Sequence, residues 1–124
     1  PRAPGVLASI ATRGDESIFT SGDYERYFEV NGKRYHHIID PRSGYPANAT
    51  ASLTVIHTEA ATADAAATAL FVAGDAWPRV AAGMGIEQVM RVRPDGTVEL
   101  TPAMAERIRF ETETEPAVVL RELP

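Results

Sequence analysis

Apolar and polar positions along the first half of the chain fall into short runs separated by turn-forming residues, the pattern of strands rather than of helices. Gly5 to Thr12, with Val-Leu-Ala-Ser-Ile-Ala at its centre, predicts a strand. Arg13-Gly14-Asp15-Glu16 predicts a turn, and Ser17-Ile18-Phe19-Thr20 a return strand that Ser21-Gly22-Asp23 breaks. Tyr24 to Val30 and Lys33 to Ile39 are β-prone and flank Asn31-Gly32. Asn-Gly between two such runs predicts a hairpin, because both turn residues must take φ > 0. Along its second arm alternate residues face opposite sides, so at most one of His36 and His37 serves a given site. Asp40-Pro41-Arg42-Ser43-Gly44 suits a type I turn with Asp first and Pro second. Thr50 to Thr58 predicts a further strand, with Leu53 and Val55 on one face and Ser52, Thr54 and Ile56 on the other.

The period changes at Ala60. Ala60 to Ala73 is rich in alanine, the strongest helix former, and its small side chains allow a close approach to a neighbour. Thr62 is placed to cap this helix, Asp64 to sit in its first turn, and Gly74 to end it. Asp75 is placed to cap a second short helix that tolerates Pro78 in its first turn and runs to about Gly83-Met84-Gly85. Ile86 to Arg93 and Thr97 to Leu100 flank Asp95-Gly96 as another hairpin. Thr101 to Arg107 reads as a helical turn and Ile108-Arg109-Phe110 as a strand. Residues 111–124, Glu-rich with an apolar Val118-Val119-Leu120, read as a tail that docks at an edge. The expected class is α+β, a mostly antiparallel sheet with β-hairpins and two inserted helices. The abrupt start suggests a middle strand of a sheet whose earlier strands are absent.

Composition narrows the chemistry. The 124 residues amount to one domain or less, and an apolar fraction of 44% suffices for a core. A net charge of −5 with scattered basic residues argues against a nucleic-acid partner. Without cysteine, thiol catalysis, disulfides and Cys-type zinc sites are excluded. No apolar run reaches the ~20 residues of a membrane helix. The chain begins Pro-Arg-Ala-Pro and is expected to be a processed, cleaved or recloned piece without a targeting segment of its own.

Two places concentrate able groups. Tyr35 to Pro46 carries two histidines, an aspartate, an arginine, a serine and two tyrosines. His37 is a candidate base or ligand, although a histidine at a strand end also bonds a nearby carbonyl. Asp64 and Thr68, at i and i+4, lie on one helix face and offer hard oxygen ligands suited to Mg²⁺. The same spacing also describes a first-turn carboxylate and a threonine bonded back to its helix. The chain has no phosphate-loop Gly-Lys-Ser/Thr, no dinucleotide glycine pattern and no Gly-x-Ser-x-Gly.

Three segments in order, Thr20 to Phe28, Gly32 to Pro46, and Ser52 to Ile56 followed by Ala63 to Val72 and Gly74, resemble the ApbE family of FAD:protein FMN transferases. The resemblance covers about residues 5 to 110 and rests on His37-Ile38-Ile39-Asp40-Pro41-x-Ser43-Gly44 and Ala63-Asp64-Ala65-x-x-Thr68 in combination. It implies a magnesium-dependent transfer of FMN from FAD to a Thr or Ser hydroxyl of an acceptor flavoprotein, with release of AMP. It makes Asp64 and Thr68 metal ligands, His37 a catalytic group at the flavin, and the backbone at Ile39 a flavin neighbour. Ser43 keeps the hydroxyl where Thr is usual, and Ala67 stands where some members carry a polar or acidic group near the metal. Residues 1–110 then correspond to the C-terminal half of such a domain. The missing N-terminal half is expected to carry adenine and ribose contacts, so that this chain alone is not a competent transferase. Self-pairing into a homo-oligomer is one expected way of covering the exposed edges. A bacterial periplasm or cell-envelope location is carried over from the family. The alternatives are a magnesium-dependent FAD pyrophosphatase, told apart by free FMN without acceptor, and a non-catalytic flavin-binding module.

Overall fold

A computed structural model describes residues 6–22, 35–39, 50–111 and 116–124. The elements are β1 (Val6–Ala11), β2 (Ser17–Gly22), β3 (Tyr35–Ile39), β4 (Ser52–His57), α1 (Ala60–Ala73), α2 (Trp77–Met84), β5 (Gln88–Val92), β6 (Val98–Leu100), α3 (Pro102–Ala105), β7 (Ile108–Phe110) and β8 (Val118–Leu120). They make an α+β fold in three layers. A three-stranded sheet, ordered β3-β1-β7, faces a five-stranded sheet, ordered β2-β4-β5-β6-β8, and α1 and α2 cover the far side of the larger sheet.

Strand alternation on β4 builds both cores. Ile56 faces the smaller sheet and packs with Leu7, Ala8, Ile10, Met90, Val92 and Met104. Leu53 and Val55 face the helices and pack with Ala63, Ala66, Ala67, Leu70, Trp77 and Ile86. The buried positions of α1, Ala63, Ala66, Ala67 and Leu70, recur at i, i+3, i+4 and i+7. Three of these four are alanine, which brings the helix backbone down onto β2 and β4.

The turn at 13–16 does not make a hairpin. β1 pairs antiparallel with β3 and β7 in the smaller sheet, while β2 pairs with β4 in the larger one. The chain turns a corner between layers, and ion pairing fixes that corner. The Arg13 amide donates to Glu16 Oε1 at 3.0 Å, and Arg107 donates to both Glu16 oxygens at 2.6 and 2.7 Å. Arg107 also donates to Gln88 and to the Ala11 carbonyl, tying both sheets and the chain after α3 to one guanidinium. Its hydrogen bond holds the Glu16 carboxyl below the usual range against the opposing effect of burial.

The β5–β6 hairpin forms as expected. Gly96 sits at φ +92° and donates to the Arg93 carbonyl at 2.9 Å, and Asp95 accepts from the Thr97 amide. Thr101 caps α3, its hydroxyl accepting from the Met104 amide at 3.3 Å and from the Val89 amide at 3.1 Å. The tail contributes β8, the edge strand of the larger sheet and parallel to β6. β1 is the middle strand of its sheet. The first arm of the Asn31-Gly32 hairpin and the turn at 40–44 lie outside the described residues.

Candidate functional site

α1 begins earlier than its cap signals suggest. Glu59, not Thr62, is its N-cap, and no side chain accepts from the first-turn amides. The Glu59 amide instead donates to His57 Nδ1 at 3.0 Å, and the Thr62 hydroxyl donates to Glu59 Oε1 at 3.1 Å. With Ala60 as the first helical residue, Asp64 lies beyond the first turn, where the helix dipole gives it little stabilisation. Asp75 does not cap α2 either. It lies in a 3₁₀ turn, Gly74–Ala76, between the helices, and Ala76 is the α2 N-cap.

Asp64 and Thr68 are both exposed, on the flank of α1 that faces away from the sheet. Neither side chain has a hydrogen-bond or ion-pair partner among the described residues. The two structural explanations of this pair, a first-turn carboxylate and a threonine bonded to its own helix, are therefore not realised. What remains is a carboxylate and a hydroxyl one turn apart, held by a helix whose opposite flank is locked in the core. Mg²⁺ keeps several waters and needs only one or two protein oxygens, so this pair fits it. Among the described residues no third acidic or histidine side chain joins them in a cluster. Ala67 is buried in the helix-facing core, so its alanine is explained by packing against the sheet.

His37 and Ile39 sit on β3, in the smaller sheet. In the backbone register His37 is opposite Ser9, His36 opposite Ile10, and Ile39 opposite Val6. His37 thus lies on the smaller sheet, while Asp64 and Thr68 lie on α1, which packs against the larger sheet. Ser9 is almost fully buried, and its hydroxyl donates to Glu111 Oε2 at 2.7 Å.

Sequence reasoning missed a buried charge cluster at the α1–α2 junction. Arg91 and Glu99, paired in register on β5 and β6, are both buried. Glu99 Oε1 accepts from Trp77 Nε1 at 2.6 Å and from Arg91 at 2.9 Å. Its Oε2 accepts from Arg93 and, at 3.1 Å, from Arg121. Arg91 also donates to Asp75 at 2.9 Å and to Thr50 at 3.0 Å. The network thus braces the end of α1 and the entry to β4 against β5 and β6. Burial by itself pushes the Glu99 carboxyl up, but the hydrogen bonds from Trp77, Arg91 and Arg93 outweigh it and hold the group at about 2. Alternating strand polarity hints at each residue, but their meeting needs the cross-strand register.

A second missed residue is Ser52. It is 3% exposed, and its hydroxyl has no hydrogen-bond partner. Two surface clefts, one beside Asp75, Pro78, Arg79 and Arg121 and one beside His57, Gly85, Glu87 and Gln88, include neither Asp64 nor Thr68.

Comparison with known proteins adds to this geometry. Residues 1–90 match the sequence model of the ApbE family. An FAD:protein FMN transferase of Rhodobacter capsulatus is 47% identical over 105 residues, covering 84% of this chain and 20% of that protein. One of Klebsiella pneumoniae is 42% identical over 97 residues, covering 75% of this chain and 27% of that protein. One of Vibrio cholerae is 52% identical over 70 residues, covering 56% and 21%. The crystal structure of an ApbE protein from Thermotoga maritima, 45% identical, aligns over 74% of this chain and 31% of its own with a TM-score of 0.49. The chain spans about a fifth to a quarter of the length of these curated relatives.

Proposed function

The chain belongs to the ApbE family, and from that membership we propose that it supplies part of the site of a magnesium-dependent transfer of FMN from FAD to an acceptor flavoprotein. The observation that carries this reading is the Asp64–Thr68 flank of α1, where a carboxylate and a hydroxyl stand exposed and unengaged on a helix fixed by its alanine face. Asp64 and Thr68 would hold the metal, with water in the remaining positions. When bound, magnesium neutralises charge on the FAD pyrophosphate as the bond breaks.

In the proposed reaction a Thr or Ser hydroxyl of the acceptor attacks the phosphorus on the FMN side of the pyrophosphate. The new phosphoester bond forms as the P–O bond to AMP breaks, and AMP leaves with the bridging oxygen. His37 takes the hydroxyl proton, and the backbone at Ile39 lies against the flavin. Because the aligned regions are a fraction of the relatives' length, adenine and ribose contacts come from chain outside these 124 residues. A bacterial periplasm or envelope location belongs to the same reading. The test is to incubate the native protein that carries these residues with FAD, Mg²⁺ and an acceptor flavoprotein. Mass spectrometry should find an acceptor peptide heavier by FMN on Thr or Ser, and AMP in equal amount. Free FMN without acceptor labelling would replace transfer by hydrolysis, and neither product would sink the proposal.

A further inference from the structure

We propose that Ser52 is a substrate-contacting residue whose hydroxyl hydrogen-bonds the polar edge of the flavin ring, an inference that rests on the flavin reading above. Ser52 opens β4 and faces the interior between the two sheets, on the same side as Thr54 and Ile56. A buried hydroxyl without a partner is disfavoured, so the fold has a reason to retain one only where something absent from the chain completes it.

The neighbours sharpen this. Thr54, the next residue on that face, is satisfied inside the protein by the Thr20 hydroxyl at 2.9 Å. One register step along, the residue opposite Ser52 on β2 is Gly22, which has no side chain to offer, and on β5 it is Val92, which has no polar atom. The row of hydroxyls therefore closes at Thr20–Thr54 and stays open at Ser52. This is also the end of the sheet where β2 runs out at Gly22 and the chain enters β4.

The chemistry of the ligand atom follows from charge. Among the described strand neighbours Thr20, Gly22, Thr54 and Val92 carry none, and Arg91 belongs to the opposite face of the sheet with Glu99 and Trp77. A phosphate placed here would find no compensation among these described neighbours, whereas a ring carbonyl or ring nitrogen needs only one hydrogen bond. Ser52 thus recognises the isoalloxazine end of FAD and not its pyrophosphate or adenosine.

The experiment compares the native protein that carries these residues with its Ser52→Ala variant by titration with FAD, riboflavin and ADP, alongside urea unfolding. Ser52→Ala should weaken FAD and riboflavin roughly tenfold each, leave ADP unchanged, and leave the urea midpoint equal or higher. Equal flavin affinity in the two proteins overturns the inference and leaves the flavin reading intact. An equal loss on ADP also overturns it, because the contact is then not to the ring. Wild type that binds neither FAD nor riboflavin takes down the flavin reading itself, and Ser52 with it.

Discussion

Replacing Glu99 with Gln removes one charge from the interior and almost no volume. The effect follows from which of its partners can reach water. Arg93 and Arg121 keep 36% and 32% of their side chains exposed and can be resolvated. Arg91 is 1% exposed and cannot. Among the described residues it keeps its bonds to Thr50 and Asp75, and the Asp75 side chain is 87% exposed and is a weak counter-charge. Glutamine would also turn an amide N–H toward a guanidinium. Breaking a buried ion pair from one side costs roughly 3–5 kcal/mol. Proton linkage gives a similar size: a carboxyl lowered from 4.5 to about 2 is worth about 3 kcal/mol. Because the folded-state value is depressed, this stability is present above about pH 4.5 and is lost as pH falls toward about 2. Trp77, the single tryptophan, is fully buried against Glu99 and reports unfolding by fluorescence. Urea unfolding at pH 7 should show Glu99→Gln less stable by about 3 kcal/mol or more, and the variant should lack the Glu99 part of the acid loss between pH 4.5 and 2. Arg121→Ala should cost about 1 kcal/mol or less. A Glu99→Gln protein within about 1 kcal/mol of wild type, or one with an unchanged acid limb, would refute the reasoning.

The corner between β1 and β2 gives a second pH-linked case. Arg107→Ala should cost about 3 kcal/mol at pH 7, since it removes both guanidinium bonds from the buried Glu16 carboxylate and leaves it the Arg13 amide. Glu16 is also depressed, so the gap between wild type and variant should narrow as pH falls below about 4.5 in urea titrations. Gly85 ends α2 at φ +73°, and a Cβ there would meet nothing within 4 Å. Gly85→Ala should therefore cost only the left-handed backbone, about 1 kcal/mol by thermal or urea unfolding; a loss of several kcal/mol would mean a steric role.

Local pattern made much of this fold legible. The alanine run gave α1 its limits, Asp95-Gly96 gave the β5–β6 hairpin, and the alternation of Leu53, Val55 and Ile56 assigned the two faces of β4. What was not legible is what depends on partners distant in sequence. β1 and β2 read as a hairpin because strand propensity says nothing of the partner. β1 in fact pairs with β7, close to the other end of the chain, and the Glu16–Arg107 contact lets the turn redirect the chain between sheets. Glu99 carries no local signal of burial, and only the register sets it against Arg91. The capping signals at Thr62 and Asp75 were each overridden, the first because α1 starts two residues upstream, the second because a 3₁₀ turn intervenes. For the site, helix spacing alone put Asp64 and Thr68 on one face. Their lack of partners, and that of Ser52, needed the packed structure.

The proposed magnesium dependence rests most directly on Asp64. Asp64→Ala should leave the unfolding midpoint within about 0.5 kcal/mol of wild type, because the side chain is exposed and unpaired. In the same preparation, Mg²⁺ titration of FMN transfer to an acceptor flavoprotein, read by acceptor mass, should show a magnesium-dependent rise for wild type and none for the variant. A folded Asp64→Ala protein that transfers FMN with the same magnesium dependence as wild type would contradict the central claim.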